Sequence, residues 1–161
     1  MGRVRLVGRR KAGGAGGAGG ISVGAALARI RDMSQPHENL IAWQRADDLC
    51  VAIYELTKHF PANEQYGLTS QLRRAAFSVP ANIVEGYAFP RSPTRLRHLR
   101  IAIASLAEVG YALHFARRVG YLRPEAWQAI DLEVRKAAAP LLGLASEQAG
   151  RPAKRESTRE S

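Results

Sequence analysis

Four histidines and one cysteine are the side chains in this sequence best suited to bind a metal or act as a nucleophile. His37, His59, His98 and His114 are widely separated, and none belongs to an HExxH pair, the spacing that holds zinc on one helix. The sequence also lacks the Glu-x-x-His pairs that build di-iron sites in helical bundles. Cys50 borders an apolar stripe and is interpreted as a small buried hydrophobic residue. We therefore predict no catalytic residue, no metal and no cofactor, and a protein that is not an enzyme.

Arginine clusters are the feature that does suggest a function, because guanidinium groups bind phosphate. The candidate nucleic-acid-binding residues are Arg73, Arg74, Arg91, Arg95, Arg97, Arg100, Arg117 and Arg118. Arg97 and Arg100 are three residues apart and share one face of a predicted helix. A solvated helix face is the competing interpretation of these clusters. For Arg73 and Arg74, pairing with Glu85 or Glu108, or a subunit contact, is a further alternative.

Four polar residues border the apolar stripes of two predicted helices. They are Asn82, Glu85, Ser105 and Glu108. Polar groups that become buried need hydrogen-bond partners. We therefore predict that these residues form a structural polar network between the second and third helices.

The net charge of +10 suggests an anionic partner, but it is unevenly distributed. Residues 1–32 contain seven basic residues and one acidic residue, a net charge of +6. Residues 33–146 contain thirteen basic and ten acidic residues, a net charge of +3, and residues 147–161 add +1. Most of the positive charge therefore lies outside the central segment, which weakens the argument from bulk charge.

The N-terminal segment has four interpretations. Residues 14–19 spell GxGxxG, the fingerprint of dinucleotide sites, but no βαβ unit follows them. A secretory signal and an arginine-rich transit peptide are two others. The interpretation that we favour is a disordered Gly/Ala/Arg-rich leader over 1–32, with translation starting at Met33. We expect a cytoplasmic protein, a bundle over 33–146 and a disordered polar tail over 147–161.

Apolar residues recur at steps of three and four through four segments, which is the period of amphipathic helices. The predicted helices are 39–59, 66–88, 94–119 and 124–146. Pro61 ends the first helix, Ser92 is the expected N-cap of the third, and Gly120 is its expected C′ residue. Pro80 predicts a kink or a turn of disorder in the second helix, and Pro140 a bend in the fourth.

The third helix shows a heptad seam of apolar residues. Its predicted core positions are Leu96, Leu99, Ile103, Leu106, Gly110 and Leu113. Four helices of similar length joined by short connections predict an all-α, antiparallel up-down-up-down four-helix bundle. No apolar run approaches the ~20 residues of a membrane span, so we expect no membrane partner.

The segment 66–86, with proline and glycine inside a predicted helix, resembles the four-helix-bundle family encoded by intervening sequences of bacterial large-subunit ribosomal RNA genes. Segments 40–46, 101–108 and 118–122 resemble the opening, third-helix and turn signatures of that family. The resemblance covers residues 39–144. The family is in turn similar to the accessory protein of diversity-generating retroelements, which forms a homopentamer and binds nucleic acid and a reverse transcriptase.

The resemblance implies a homo-oligomeric ring, expected to be a homopentamer. Repetition around a ring would merge modest arginine clusters into one large basic surface. Our leading hypothesis is a non-enzymatic bundle that binds RNA or DNA through these arginines. The alternative is a protein-interaction module that partners a reverse transcriptase or another protein and has no role with nucleic acid.

Overall fold

A computed structural model describes residues 35–150, and each regular element in that range is helical. A single turn at Gln35–Glu38 precedes four long helices. They are α1 (Ile41–Leu56), α2 (Leu68–Tyr87), α3 (Pro93–Arg118) and α4 (Pro124–Gln148). Two short 3-10 turns, Thr57–His59 and Ala62–Glu64, connect α1 to α2. The predictions for the leader over 1–32 and for residues 151–161 of the tail lie outside the described residues.

The four long helices form the predicted antiparallel bundle. Each helix packs against the next one in the chain, and α4 packs against α1 to close the bundle. The antiparallel direction is visible where Ser78 faces Ser105 and, further along α2, Asn82 faces the earlier residue His98. The largest fully buried side chains come from all four helices: Leu49, Ile53, Leu72, Val79, Ile83, Leu99, Val109, Leu113 and Leu141.

The buried stripe of α3 differs from the predicted heptad seam. Leu99, Leu106 and Leu113 are buried as expected, but Leu96, Ile103 and Gly110 are only half-buried. The other buried positions of α3 are held by Val109 and by four small residues: Ala102, Ser105, Ala112 and Ala116. The prediction was partly wrong because periodicity weights large apolar residues, whereas closely packed helices also favour small ones.

The predicted N-cap and C′ residues of α3 have the expected geometry in the structure. The Ser92 hydroxyl accepts a hydrogen bond from the Arg95 backbone N–H at 3.3 Å. Gly120 has φ +83°, a conformation that glycine adopts without steric cost. Helix α2 is continuous through the buried Pro80, so the alternative of a disordered turn is wrong. Helix α4 runs to Gln148, two residues into the segment predicted as tail.

One described helix, α3, is long and apolar enough to cross a membrane by length and composition alone. Part of its apolar segment is buried inside the bundle. The core helix of a globular bundle passes the same test, because one side of such a helix is apolar throughout. This finding is weak evidence for a membrane span.

Candidate functional site

A chain of hydrogen bonds links α2 to α3, and we call it the polar seam. The hydroxyl oxygens of Ser78 and Ser105 are 2.8 Å apart. Asn82 Nδ2 donates to the Ser78 carbonyl at 2.9 Å and lies 3.1 Å from the Ser78 hydroxyl. At its other end, Asn82 Oδ1 lies 3.3 Å from His98 Nδ1, which is also 3.3 Å from Glu85 Oε2. The seam thus satisfies polar groups that packing removes from water.

The polar seam contains three of the four residues predicted to form a network: Asn82, Glu85 and Ser105. Sequence reasoning missed Ser78 and His98. Both could have been found from helical spacing. Ser78 lies four residues before Asn82, and His98 lies seven residues before Ser105, so each shares a helix face with a predicted member of the network. The prediction was wrong for Glu108, because its side chain forms no hydrogen bond with the residues of the seam.

The carboxylate of Glu108 on α3 lies instead beside the guanidinium of Arg74 on α2. The distance from Arg74 Nη2 to Glu108 Oε1 is 3.8 Å, and both side chains are exposed. Arg74 Nη2 also donates to Gln71 Oε1 at 2.6 Å. An exposed pair at this distance contributes little to stability. Its effect is to reduce the positive charge that Arg74 presents to a ligand.

The antiparallel packing divides the eight candidate arginines between the two ends of the bundle. Arg91, Arg95, Arg97 and Arg100 surround the start of α3, beside the end of α2. The other four, Arg73, Arg74, Arg117 and Arg118, lie where α2 begins and α3 ends. Arg100 and Arg118 are about 27 Å apart along α3 at a rise of ~1.5 Å per residue. The structure therefore contains two arginine clusters rather than one surface.

Several of these arginines are occupied by contacts within the bundle. Arg95 lies over the Tyr87 ring at 4.4 Å, and its Nε donates to the Phe89 carbonyl at 3.0 Å. Arg117 lies over the Trp127 ring at 5.1 Å. These guanidinium groups join helix ends, which is a structural role.

Two further arginines bond to backbone and hydroxyl groups. Arg91 donates to the Glu147 carbonyl and so connects the start of α3 to the end of α4. Arg73 Nε donates to the Thr57 hydroxyl at 2.7 Å, and its guanidinium lies 4.9 Å from the centre of the Tyr54 ring. Thr57 is itself buried and donates to the Ile53 carbonyl at 2.8 Å.

Three of the eight candidate arginines remain free of such contacts within residues 35–150. Arg97, Arg100 and Arg118 are exposed and have no ion pair or side-chain hydrogen bond to another described residue. All three lie on the outer side of α3, away from the buried stripe. Among the eight candidates, they are the arginines most available to an external anion.

The outer sides of α2 and α3 also expose large apolar side chains. Phe77 is 60% exposed and Tyr111 is 70% exposed, and Ile101 and Phe115 lie on the same side of α3. Apolar groups that line two adjacent helices form a surface suited to protein contact.

The described residues contain no group of three or more His, Cys, Asp or Glu side chains that could hold a metal ion. Burial, with a smaller contribution from Asp47, raises the pKa of the Cys50 thiol above its ordinary value. A raised thiol pKa lowers the thiolate fraction at neutral pH, and therefore lowers nucleophilic reactivity.

The fold and the polar seam define an antiparallel four-helix bundle whose second and third helices are joined by partly buried hydrogen bonds. The family model of the 23S rRNA-intervening sequence protein matches residues 38–143, and the chain belongs to this family. None of the curated proteins matches the chain.

A solved structure supports the fold. It is a protein of unknown function from the S23 ribosomal protein family of Bacteroides thetaiotaomicron VPI-5482. The chain is similar to it with a TM-score of 0.61 and 20% sequence identity, over 66% of this chain and 96% of that one. At this identity the likeness shows the fold alone.

Proposed function

We propose that the protein is a non-enzymatic, self-associating bundle of the cytoplasm that binds RNA or DNA. The observation that carries the proposal is the exposure of Arg97, Arg100 and Arg118 on the outer side of α3, free of ion pairs with other described residues. Unpaired guanidinium groups displace the counterions of a nucleic-acid backbone and gain affinity from their release.

Self-association is part of the proposal, because one chain presents only a few free arginines. The exposed Phe77 and Tyr111 lie on adjacent helices and favour contact with a second copy. The homopentamer is the assembly that the family resemblance suggests. In a ring, each copy would add its own Arg97 and Arg100, so the basic surface would grow with the number of subunits.

The test is binding of labelled RNA and DNA by fluorescence anisotropy over a range of salt concentrations. We expect affinity to fall steeply with salt, and the Arg97→Glu, Arg100→Glu double variant to bind at least tenfold more weakly. The control is Arg135→Glu, Lys136→Glu on α4, which reverses two exposed charges but also breaks their ion pairs with Asp131 and Glu133, so its helical content is checked by circular dichroism. Salt-independent binding, or equal loss in the control, contradicts the proposal.

A protein-interaction module that partners a reverse transcriptase or another protein is the second candidate. A groove of about 410 Å³ between α1 and α4 favours it, because alanine, leucine and isoleucine side chains line most of its surface. Co-purification of such a partner by a chain that binds neither RNA nor DNA at low salt would support this function over the first.

A further inference from the structure

Arg73 is a half-buried cation whose described contacts are all neutral. Its Nε donates to the Thr57 hydroxyl at 2.7 Å, and its Nη2 lies 3.5 Å from the Tyr54 carbonyl. The Tyr54 ring covers one face of the guanidinium. Within residues 35–150, no carboxylate oxygen lies within 4.0 Å of it. A positive charge that is partly removed from water and held in one position favours binding of an anion, because little freedom is lost when the anion binds.

A cavity of about 380 Å³ opens on one side of Arg73. Its walls include two tyrosines, two arginines and two hydroxyl side chains: Tyr54, Tyr66, Arg73, Arg74, Thr69 and Ser70. A second cavity of about 220 Å³ shares Arg73 and is also lined by Lys58. Neither lining includes a carboxylate. The larger volume is in the range of roughly 300–1,000 Å³ that small ligands occupy.

Glu64 is close in sequence but is engaged elsewhere. Its Oε2 accepts a hydrogen bond from the Leu68 backbone N–H at 2.9 Å, at the start of α2. Its Oε1 accepts one from the Tyr121 hydroxyl at 3.0 Å. Because both carboxylate oxygens are occupied, Glu64 stabilises the turn and does not line the cavity beside Arg73.

Tyr66 adds an aromatic surface to this basic cavity. It lies in the turn before α2 and is 94% exposed, so its ring is free to stack against a ligand. Exposed aromatic rings next to arginines are the combination by which proteins bind single strands, whose unpaired bases offer a flat face. A duplex does not offer that face, because its bases stack on one another.

We propose that this cavity binds one nucleotide unit of single-stranded nucleic acid, with the phosphate at Arg73 and the base stacked on Tyr66. Arg74 lines the larger cavity and Lys58 the smaller one, but Glu108 at 3.8 Å and Glu55 at 2.6 Å partly neutralise them, so Arg73 is the cation that anchors the phosphate. The inference rests on the proposed nucleic-acid binding and specifies its single-stranded form and the residues that contact it. It is independent of Arg97 and Arg100, which do not line the cavity.

The experiment compares Tyr66→Ala with Tyr66→Phe in the full chain, using a labelled uridine decamer and an RNA duplex of equal length. Tyr66 is exposed, so neither variant disturbs the core. We expect Tyr66→Ala to weaken decamer binding by about 5- to 150-fold and Tyr66→Phe to preserve it, because stacking needs only the ring. Duplex binding stays unchanged in both variants.

The outcomes separate this inference from the proposed function. Unchanged decamer binding by Tyr66→Ala overturns the inference but leaves the function through Arg97 and Arg100 intact. If decamer binding is lost only in the Arg97→Glu, Arg100→Glu variant, the inference is likewise overturned and the proposed function stands. Uridine monophosphate that binds as tightly as the decamer would mark a free-nucleotide site and overturn the single-strand assignment. A smaller particle mass of Tyr66→Ala in light scattering would mark a subunit contact and also overturn it.

Discussion

A Cβ atom placed on Gly86 would lie 3.1 Å from the Cβ of His98, so α2 and α3 approach each other closely enough here that even a methyl group would be crowded. His98 in turn contacts Asn82 and Glu85 of the polar seam and stacks on the Phe89 ring, with centroids 5.9 Å apart. A glycine inside a helix costs about 1 kcal/mol relative to alanine. Here the cost is offset by the close approach that brings His98 against α2.

Gly86→Val should destabilise the bundle by about 1–3 kcal/mol, because the added carbons overlap His98 and the Arg95 carbonyl. The control is Gly110→Ala, since a Cβ at Gly110 would have no atom of another described segment within 4 Å. That variant should gain about 0.5–1 kcal/mol from helix propensity. Urea denaturation measures both, and equal effects at the two positions would contradict the close contact.

Asn82→Ala should lower the free energy of unfolding by about 1–3 kcal/mol, because it removes partners of both Ser78 and His98. Gln128→Ala on the exposed side of α4 is the control and should change stability by less than about 0.5 kcal/mol. Thermal and urea denaturation give the comparison. An Asn82→Ala protein as stable as the control would mean that the polar seam does not stabilise the fold.

Variants of Arg95 and Arg100 should differ in their effects, because Arg95 contacts the fold whereas Arg100 is free to bind nucleic acid. Arg95→Gln loses the contacts with the Tyr87 ring and the Phe89 carbonyl, and should destabilise the protein by about 1–2 kcal/mol. Arg100→Gln should leave stability unchanged while it weakens nucleic-acid binding and lowers the salt slope by about one unit. Denaturation and anisotropy on both variants check this, and the reverse assignment would refute our division of the arginines.

Cys50 should react slowly with a thiol reagent in the native protein and rapidly in denaturant. Because the pKa of the thiol is raised in the native protein, the unfolded chain releases this proton at lower pH than the native protein does, and stability falls as pH rises. The stabilising contribution of the protonated thiol is therefore complete below the unfolded pKa and is lost as pH rises through the folded pKa.

Urea denaturation at neutral and alkaline pH measures this loss, with Cys50→Ala as the control. The variant should lose less stability than the wild type over the same pH interval. Equal losses would assign the alkaline destabilisation to other groups, such as Tyr87, whose pKa burial also raises.

Much of the fold could be predicted because its signals are local. The spacing of apolar residues indicated four helices, and Ser92 and Gly120 marked the ends of α3 through backbone chemistry that depends on a few neighbours. The family resemblance predicted the same bundle and is confirmed over residues 38–143. The stripe of α3 was less predictable, because small residues such as Ala102 become buried through their neighbours on other helices.

The sequence by itself determined the helices, their order and the presence of arginines beside the core. Only the tertiary structure decided what each arginine contacts. Thr57 and Arg73 are sixteen residues apart, and Ser78 and Ser105 are twenty-seven apart, yet each pair is in hydrogen-bond contact. The physical reason is that such contacts depend on the relative positions of packed helices. A helix turned or shifted by one residue has the same local pattern but different partners.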